Sequence, residues 1–146
     1  VKTKLTGLVP GATYRLRSTV EFLTDVPNGC VGTGGSPGES VWIVIAAATI
    51  EPMTVFDGAD YRLNIDSGNQ GRGGRDGVVL GNIANTVQNC GPRRWESKSL
   101  TVPAGATLTV RADERGEAWF LVGLDSGLEA SSRIYHQRFL VRLEPL

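Results

Sequence analysis

One histidine, one methionine and two cysteines leave the 146-residue chain poor in soft metal ligands. That scarcity excludes a structural zinc site, which gathers several Cys and His ligands in one place. Charge of either sign is not in excess, with 15 Lys+Arg against 15 Asp+Glu. A balanced chain lacks the basic stripe that nucleic acid or anionic lipid would need, so no nucleic-acid partner is expected. Arg72/Arg75 and Arg93-Arg94 are local pairs. No apolar run approaches the ~18 residues of a membrane span. The longest runs only from Val41 to Ile50. A helical period is missing as well, the nearest candidate being one turn in "NIANTVQN".

Turn formers are plentiful, with 19 glycines and 7 prolines. They predict short strands and many turns in a single domain over residues 1–146. "TYRLRSTVEF" alternates strictly, Tyr14, Leu16, Ser18, Val20 and Phe22 facing one way. That is the pattern of a half-buried antiparallel strand. "VWIVIAAAT" is apolar in both phases and rich in β-branched residues, which predicts a central strand covered on both faces. "DYRLNID" alternates with Tyr61, Leu63 and Ile65 inward, and "GVVLGNIA" reads as a short strand. "SKSLTVPAGATLTVRA" reads as strand, Pro-Ala-Gly turn and strand, with Leu108, Val110 and Ala112 inward. "ERGEAWFLVGLD" supplies a turn and a strand. "RIYHQRFLVRLEP" closes the chain with Tyr135, Phe139, Val141 and Leu143 on one face. About eight strands at this spacing predict an all-β antiparallel β-sandwich, in jelly-roll form.

Cys30 and Cys90 each sit beside glycine in loop-like sequence. An even count in such loops reads as a disulfide and an oxidising, extracytoplasmic location. The other reading is two unrelated reduced thiols. The chain starts at Val1 without a basic, apolar leader and reads as a mature or trimmed piece of an exported protein.

The opening "LTGLVPGATYRL" resembles the tyrosine corner of fibronectin type III and immunoglobulin-like domains, with Leu8 and Tyr14 around Pro-Gly. Its early position is more similar to the entry strands of jelly-roll carbohydrate-binding modules. "GCVGTGGSPGESVW", "YRLNIDSGNQGRGGRDGVVLG" and "LVGLDSGLEASSRIY" resemble segments of uncharacterised exported bacterial β-sandwich proteins. These resemblances imply fold and location, and no reaction.

"NIDSGNQGRGGRDG" (residues 64–77) carries the densest polar chemistry. A phosphate-binding P-loop needs a Gly-Lys-Ser/Thr ending, which is missing. A Rossmann loop needs its glycines between a strand and a long helix. An EF-hand needs further acidic ligands after Asp66, where Gly68 and Gln70 stand. A structural calcium ion on Asp66, Asn69 and Asp76 is the one cofactor reading left open, with Arg72 and Arg75 competing for the carboxylates. Otherwise the loop is either a long turn with Asp76 paired to an arginine, or a binding rim. Asp, Asn, Gln and Arg there can bond vicinal hydroxyls, and glycines admit a ligand to the backbone.

"DSG" occurs twice, at Asp66 and Asp125, each time directly after an apolar strand. The parity predicts that both aspartates share one edge and one surface depression, with Asn69, Asp76 and Glu129 beside them. Exposed loop aspartates of this kind should tolerate substitution within about 0.5 kcal/mol of stability. Among the tryptophans, Trp42 and Trp119 lie in apolar strands and read as core. Trp95 is flanked by charge and is a candidate for stacking on a sugar ring. His136 alternates outward in the last strand and reads as a surface residue.

The candidate ligand-binding set is therefore Asp66, Asn69, Arg75, Asp76, Trp95, Asp125 and Glu129. It belongs to a non-catalytic module that binds a glycan or cell-envelope partner through loops 28–40, 66–76 and 125–131. One alternative is a carboxylate-based hydrolase using Asp66, Asp125 and Glu129. The other is a structural or adhesive module of a larger surface protein.

Overall fold

A computed structural model describes residues 1–146, and its regular elements are all strands. In chain order they are β1 (Lys2–Leu5), β2 (Thr13–Thr24), β3 (Val41–Ala48), β4 (Thr54–Phe56), β5 (Tyr61–Leu63) and β6 (Gly68–Asn69). They continue with β7 (Arg72–Gly73), β8 (Gly77–Asn82), β9 (Glu96–Thr101), β10 (Leu108–Arg111), β11 (Ala118–Ser126) and β12 (Ile134–Pro145). Every pairing is antiparallel. The first four-stranded sheet has the order β1-β11-β3-β8. In the second, β2 pairs with β12 on one side and with β9 and β10 on the other. The hairpins β4–β5 and β6–β7 stand apart as two-stranded sheets.

The alternation in β2 sends Tyr14, Leu16, Ser18, Val20, Phe22 and Thr24 inward. Leu16, Val20 and Phe22 join Ile43, Ile45 and Ala47 of β3 and Phe120 and Val122 of β11 in one apolar cluster shared by both large sheets. As its two-phase pattern predicts, β3 is a central strand and is buried at seven of its eight positions. Its other face meets a second, smaller cluster of Ala46, Ala48 and Ile65, with Leu121 against them.

Pairing at the chain ends departs from the nested arrangement of a jelly roll. β1 lies beside β11 and β2 beside β12, where nesting would set β1 beside β12. The Pro-Ala-Gly segment is also no hairpin. β9 matches Thr24 back to Thr19 and β10 matches Leu16 back to Thr13, so the two strands run in line along one edge of β2. β2 is long enough to hold both, and residues 103–107 loop out between them. Leu108, Val110 and Ala112 still point inward and are buried.

Further differences have local causes. "NIANTVQN" forms no helical turn, because its side chains bond the backbone in competition with a helix. Asn85 accepts from the Val87 N–H at 3.0 Å and donates to the Arg94 carbonyl at 2.8 Å. A bulge between His136 and Arg138 reverses the face of the last strand. It puts His136 opposite Phe22, its ring 5.0 Å from that of Phe139, and leaves Tyr135 exposed on the outer side. Trp42 and Trp119 are only half-buried and face away from the main core. Gly71 lies over the Trp42 ring, and the Lys2 and Lys4 ammonium groups lie 5.7 and 5.5 Å from the Trp119 ring centre.

Two ties fix the chain. The Val9 N–H donates to the Tyr14 hydroxyl at 2.8 Å, closing a Pro10-Gly11 turn in which Gly11 has φ 71°. Cys30 and Cys90 are disulfide-bonded, as their loops suggest, across a separation of 60 residues. The loops they join already share backbone bonds, Asn28 N–H to Val87 O and Cys90 N–H to Asn28 O, both 2.8 Å. Glu96 anchors the same region. It accepts from the Thr86 N–H, from the Arg94 guanidinium and from the Thr86 hydroxyl, which together pull its carboxyl down to about 2.

Tyr14→Phe strips the Val9 N–H of its acceptor and should cost about 1 kcal/mol, read as a lower denaturant midpoint at unchanged slope. Reducing the disulfide frees a long loop in the unfolded chain and should cost about 4 kcal/mol on the chain-entropy estimate, read as a lower melting temperature in reductant. Glu96 is depressed from its ordinary value of 4.5, so its contribution is complete above that value and is lost as pH falls towards about 2. Glu96→Gln should therefore flatten the stability profile between pH 4.5 and 2 in acid denaturation curves.

Candidate ligand-binding depression

The outer face of β3 decides where the polar loops go. Ala46 and Ala48 are small, so the segment between β3 and β8 can lie close on the sheet with Ile65 pressed onto them. Beyond Ile65 the chain folds tightly on itself. A side chain at Gly74 would run into Asp66, and one at Gly77 into the Ser67 backbone. Glycine there is a requirement of close approach. The β6–β7 hairpin turns at Gln70, which takes a left-handed φ of 52° that glycine usually occupies.

Two aspartates hold this loop. Asp66 accepts from the Gly68 N–H at 3.2 Å through one oxygen and from the Arg75 N–H at 2.9 Å through the other. Asp125, near the end of β11, accepts the Gln70 N–H at 2.7 Å. Asp125 is thus the clamp on the hairpin tip. Asp76 accepts from the Asp66 N–H at 2.9 Å and from Arg75 Nε and Nη2 at 3.0 and 2.8 Å. The Arg75 hydrogen bond leads the forces that hold the Asp76 carboxyl below its ordinary value.

Asp66 and Asp125 line one depression of about 670 Å³, together with Asn69, Tyr61, Arg62 and Leu124. Asp66, Asn69 and Asp125 therefore share one edge, whereas the expected Asp76 and Glu129 do not line it. Tyr61 is 77% exposed and packs on Phe56 at 5.3 Å between ring centres. The β4–β5 hairpin overhangs the depression without joining the core, which corrects the inward reading of Tyr61 and Leu63. An isolated two-stranded hairpin has no face that must be buried. Arg62 is held beside it by Asp57, Nε to Oδ2 at 2.6 Å. Tyr61 and Arg62 are the site residues that the alternation of "DYRLNID" hides. The signal for them is Asp57-Gly58 between two short runs, a hairpin mark.

Other candidates fall elsewhere. Arg75 and Asp76 line a smaller recess of about 280 Å³ next to Ala47, Ala48 and Thr49. Glu129 lies over the loop of residues 32–35, its N–H donating to the Thr33 carbonyl at 2.9 Å, and does not line the depression. Trp95 is on the outer face of the second sheet, its ring 5.1 Å from that of Tyr135. Loops 28–40, 66–76 and 125–131 nevertheless form a connected rim. Gly127 bonds the Ser40 carbonyl through its N–H at 2.9 Å and lies against the Gln70 amide.

The donor set bears on calcium and on catalysis. No three acidic, His or Cys side chains converge. Both Asp66 oxygens and both Asp76 oxygens already face N–H donors, which a cation would have to displace. Asp125 keeps its Oδ1 free of hydrogen bonds within the chain. No family model matches this chain, and neither does any curated protein or solved structure.

The double capping changes the expected tolerance of Asp66. Asp66→Ala should cost about 1 kcal/mol, since two loop N–H groups lose a charged acceptor. Asp125→Ala should leave the core intact and release the hairpin tip. Hydrogen exchange at the Gln70 amide is the direct measure, and it should quicken several-fold.

Proposed function

We propose that the chain is an extracytoplasmic β-sandwich module that binds a glycan of the cell envelope at the depression beneath the β4–β5 hairpin. The supporting observation is the meeting of one exposed ring, Tyr61, with polar groups that have bonding capacity to spare. These are Asp125 Oδ1, the Asn69 amide and the tethered Arg62 guanidinium. A pyranose presents an apolar face that stacks on such a ring and vicinal hydroxyls that bond carboxylate, amide and guanidinium groups. The two large sheets share one core, in keeping with a sandwich. The disulfide fits an oxidising compartment, and no helix is long and apolar enough to cross a membrane.

Binding without turnover agrees better with the carboxylates than hydrolysis does. A glycosidase pair must pass a proton between acid and base roles. Asp66 has both oxygens committed to backbone N–H groups, and Glu129 stands outside the depression. The test is a panel of envelope and plant-type neutral oligosaccharides read by calorimetry or glycan array. Tyr61→Ala should weaken the bound member at least tenfold, with an unchanged melting temperature, because the ring is exposed. Absence of any saccharide ligand, or affinity indifferent to Tyr61, would sink the reading.

A further inference from the structure

On the outer face of the second sheet, where β9 ends at Thr101 and β10 resumes at Leu108, ladder pairing along this edge of β2 lapses at Arg17 and Ser18, apart from the Val102 N–H that donates to the Ser18 carbonyl at 3.2 Å. The gap opens a notch of about 450 Å³ lined by Arg17, Ser18, Thr19, Thr101, Leu140 and Arg142. We infer that this notch takes the oxyanion, a carboxylate or a sulfate ester, of an acidic polysaccharide.

Two observations carry the inference. Arg17 and Arg142 are direct cross-strand partners of β2 and β12. Like charges set opposite one another destabilise a sheet, so the arrangement lacks a reason within the fold. Glu144 offsets part of it from 3.8 Å, but Arg15 adds a third cation two residues along the same face. Thr19 and Thr101, paired across the strands in the same outward phase as Arg17, supply two hydroxyls beside the arginines. Two guanidinium groups with hydroxyl donors beside them suit an oxyanion.

The rest of the face argues for a saccharide carrier. From the notch it runs past the Glu21–Arg138 ion pair and the Ser97–Gln137 bond to the exposed rings of Trp95 and Tyr135. Arg17 to Leu23 along β2 is roughly 20 Å at strand rise, room for an oligosaccharide. A nucleic acid, with a charge every ~1.7 Å of duplex, would press phosphates on Glu21 and Glu144. A sparsely charged polysaccharide would not. The face is separate from the Tyr61 depression, so the two readings succeed or fail independently.

Affinity electrophoresis through gels containing polygalacturonate, dextran sulfate or neutral dextran tests the inference. One or both acidic polymers should retard the protein and neutral dextran should not. Which acidic polymer acts tells carboxylate from sulfate ester. Arg17→Gln/Arg142→Gln should abolish the retardation while holding or raising the unfolding midpoint, since a repulsion is relieved. Trp95→Ala should weaken it several-fold and Tyr61→Ala should leave it unchanged. Three results would overturn the inference: no retardation by either acidic polymer, equal retardation by neutral dextran, or an equal loss in the charge-matched control Arg115→Gln/Arg133→Gln.

Discussion

Because β3 is apolar on both of its faces, the rest of the molecule is arranged to cover it twice. One cover is the second sheet, whose β2, β10 and β12 side chains meet Ile43, Ile45 and Ala47. The other is the segment between β3 and β8, which lays Ile65 on Ala46 and Ala48 and ends by pairing β8 back onto β3. Small side chains at the contact bring the covering segment close, and closeness demands glycine where its backbone doubles back. The glycine-rich loop thus follows from the alanines of β3. The depression is what remains between that cover and β11.

Within this arrangement the two Asp-Ser-Gly stretches have different tasks despite their identical sequence. Asp66 caps its own loop with both oxygens, a local duty that any tight turn creates. Asp125 reaches across to the hairpin tip with one oxygen and keeps the other free. Its bond supports Gln70 in a backbone conformation that costs free energy in a residue with a side chain. Under the proposed function, a strained tip clamped by a half-used carboxylate lets ligand and loop share one group, which Asp66 does not offer.

Much of the fold is legible in the chain because burial writes a period. β2 and β3 declare themselves by alternation and by its absence, Tyr14 by its place after Pro-Gly, and the disulfide by its loops. Illegible features lack a periodic cause. Alternation in "DYRLNID" is the same whether the hairpin is pressed on a core or stands clear of it. The Pro-Ala-Gly segment reads alike as a hairpin turn and as a detour, and only the length of β2 decides. The bulge at Gln137 adds one residue without a mark, yet it exchanges the faces of Tyr135 and His136. The candidate site inherits this limit. Its aspartates were readable from strand ends, whereas Tyr61 and Arg62 depended on tertiary placement.

The two proposed binding surfaces differ in what holds their groups. Arg17 and Arg142 are fixed by strand register, and register is strongly specified when one face of a sheet is buried. Tyr61 and Arg62 ride on a hairpin whose Arg62–Asp57 pair is internal to it, and Asn69 rides on one whose tip Asp125 holds to the sheet. Groups fixed by register lose little entropy on meeting a ligand. The far end of the core is tied together as well. Lys98 enters it from β9 and donates to the Asn82 side chain and the Ala84 carbonyl at 3.2 and 2.6 Å. Burial pushes its ammonium group below the ordinary lysine value, and Glu39 pulls the other way. Glu39 in turn accepts the Gly29 N–H beside the disulfide. Sheet, polar plug and disulfide are thereby one connected body.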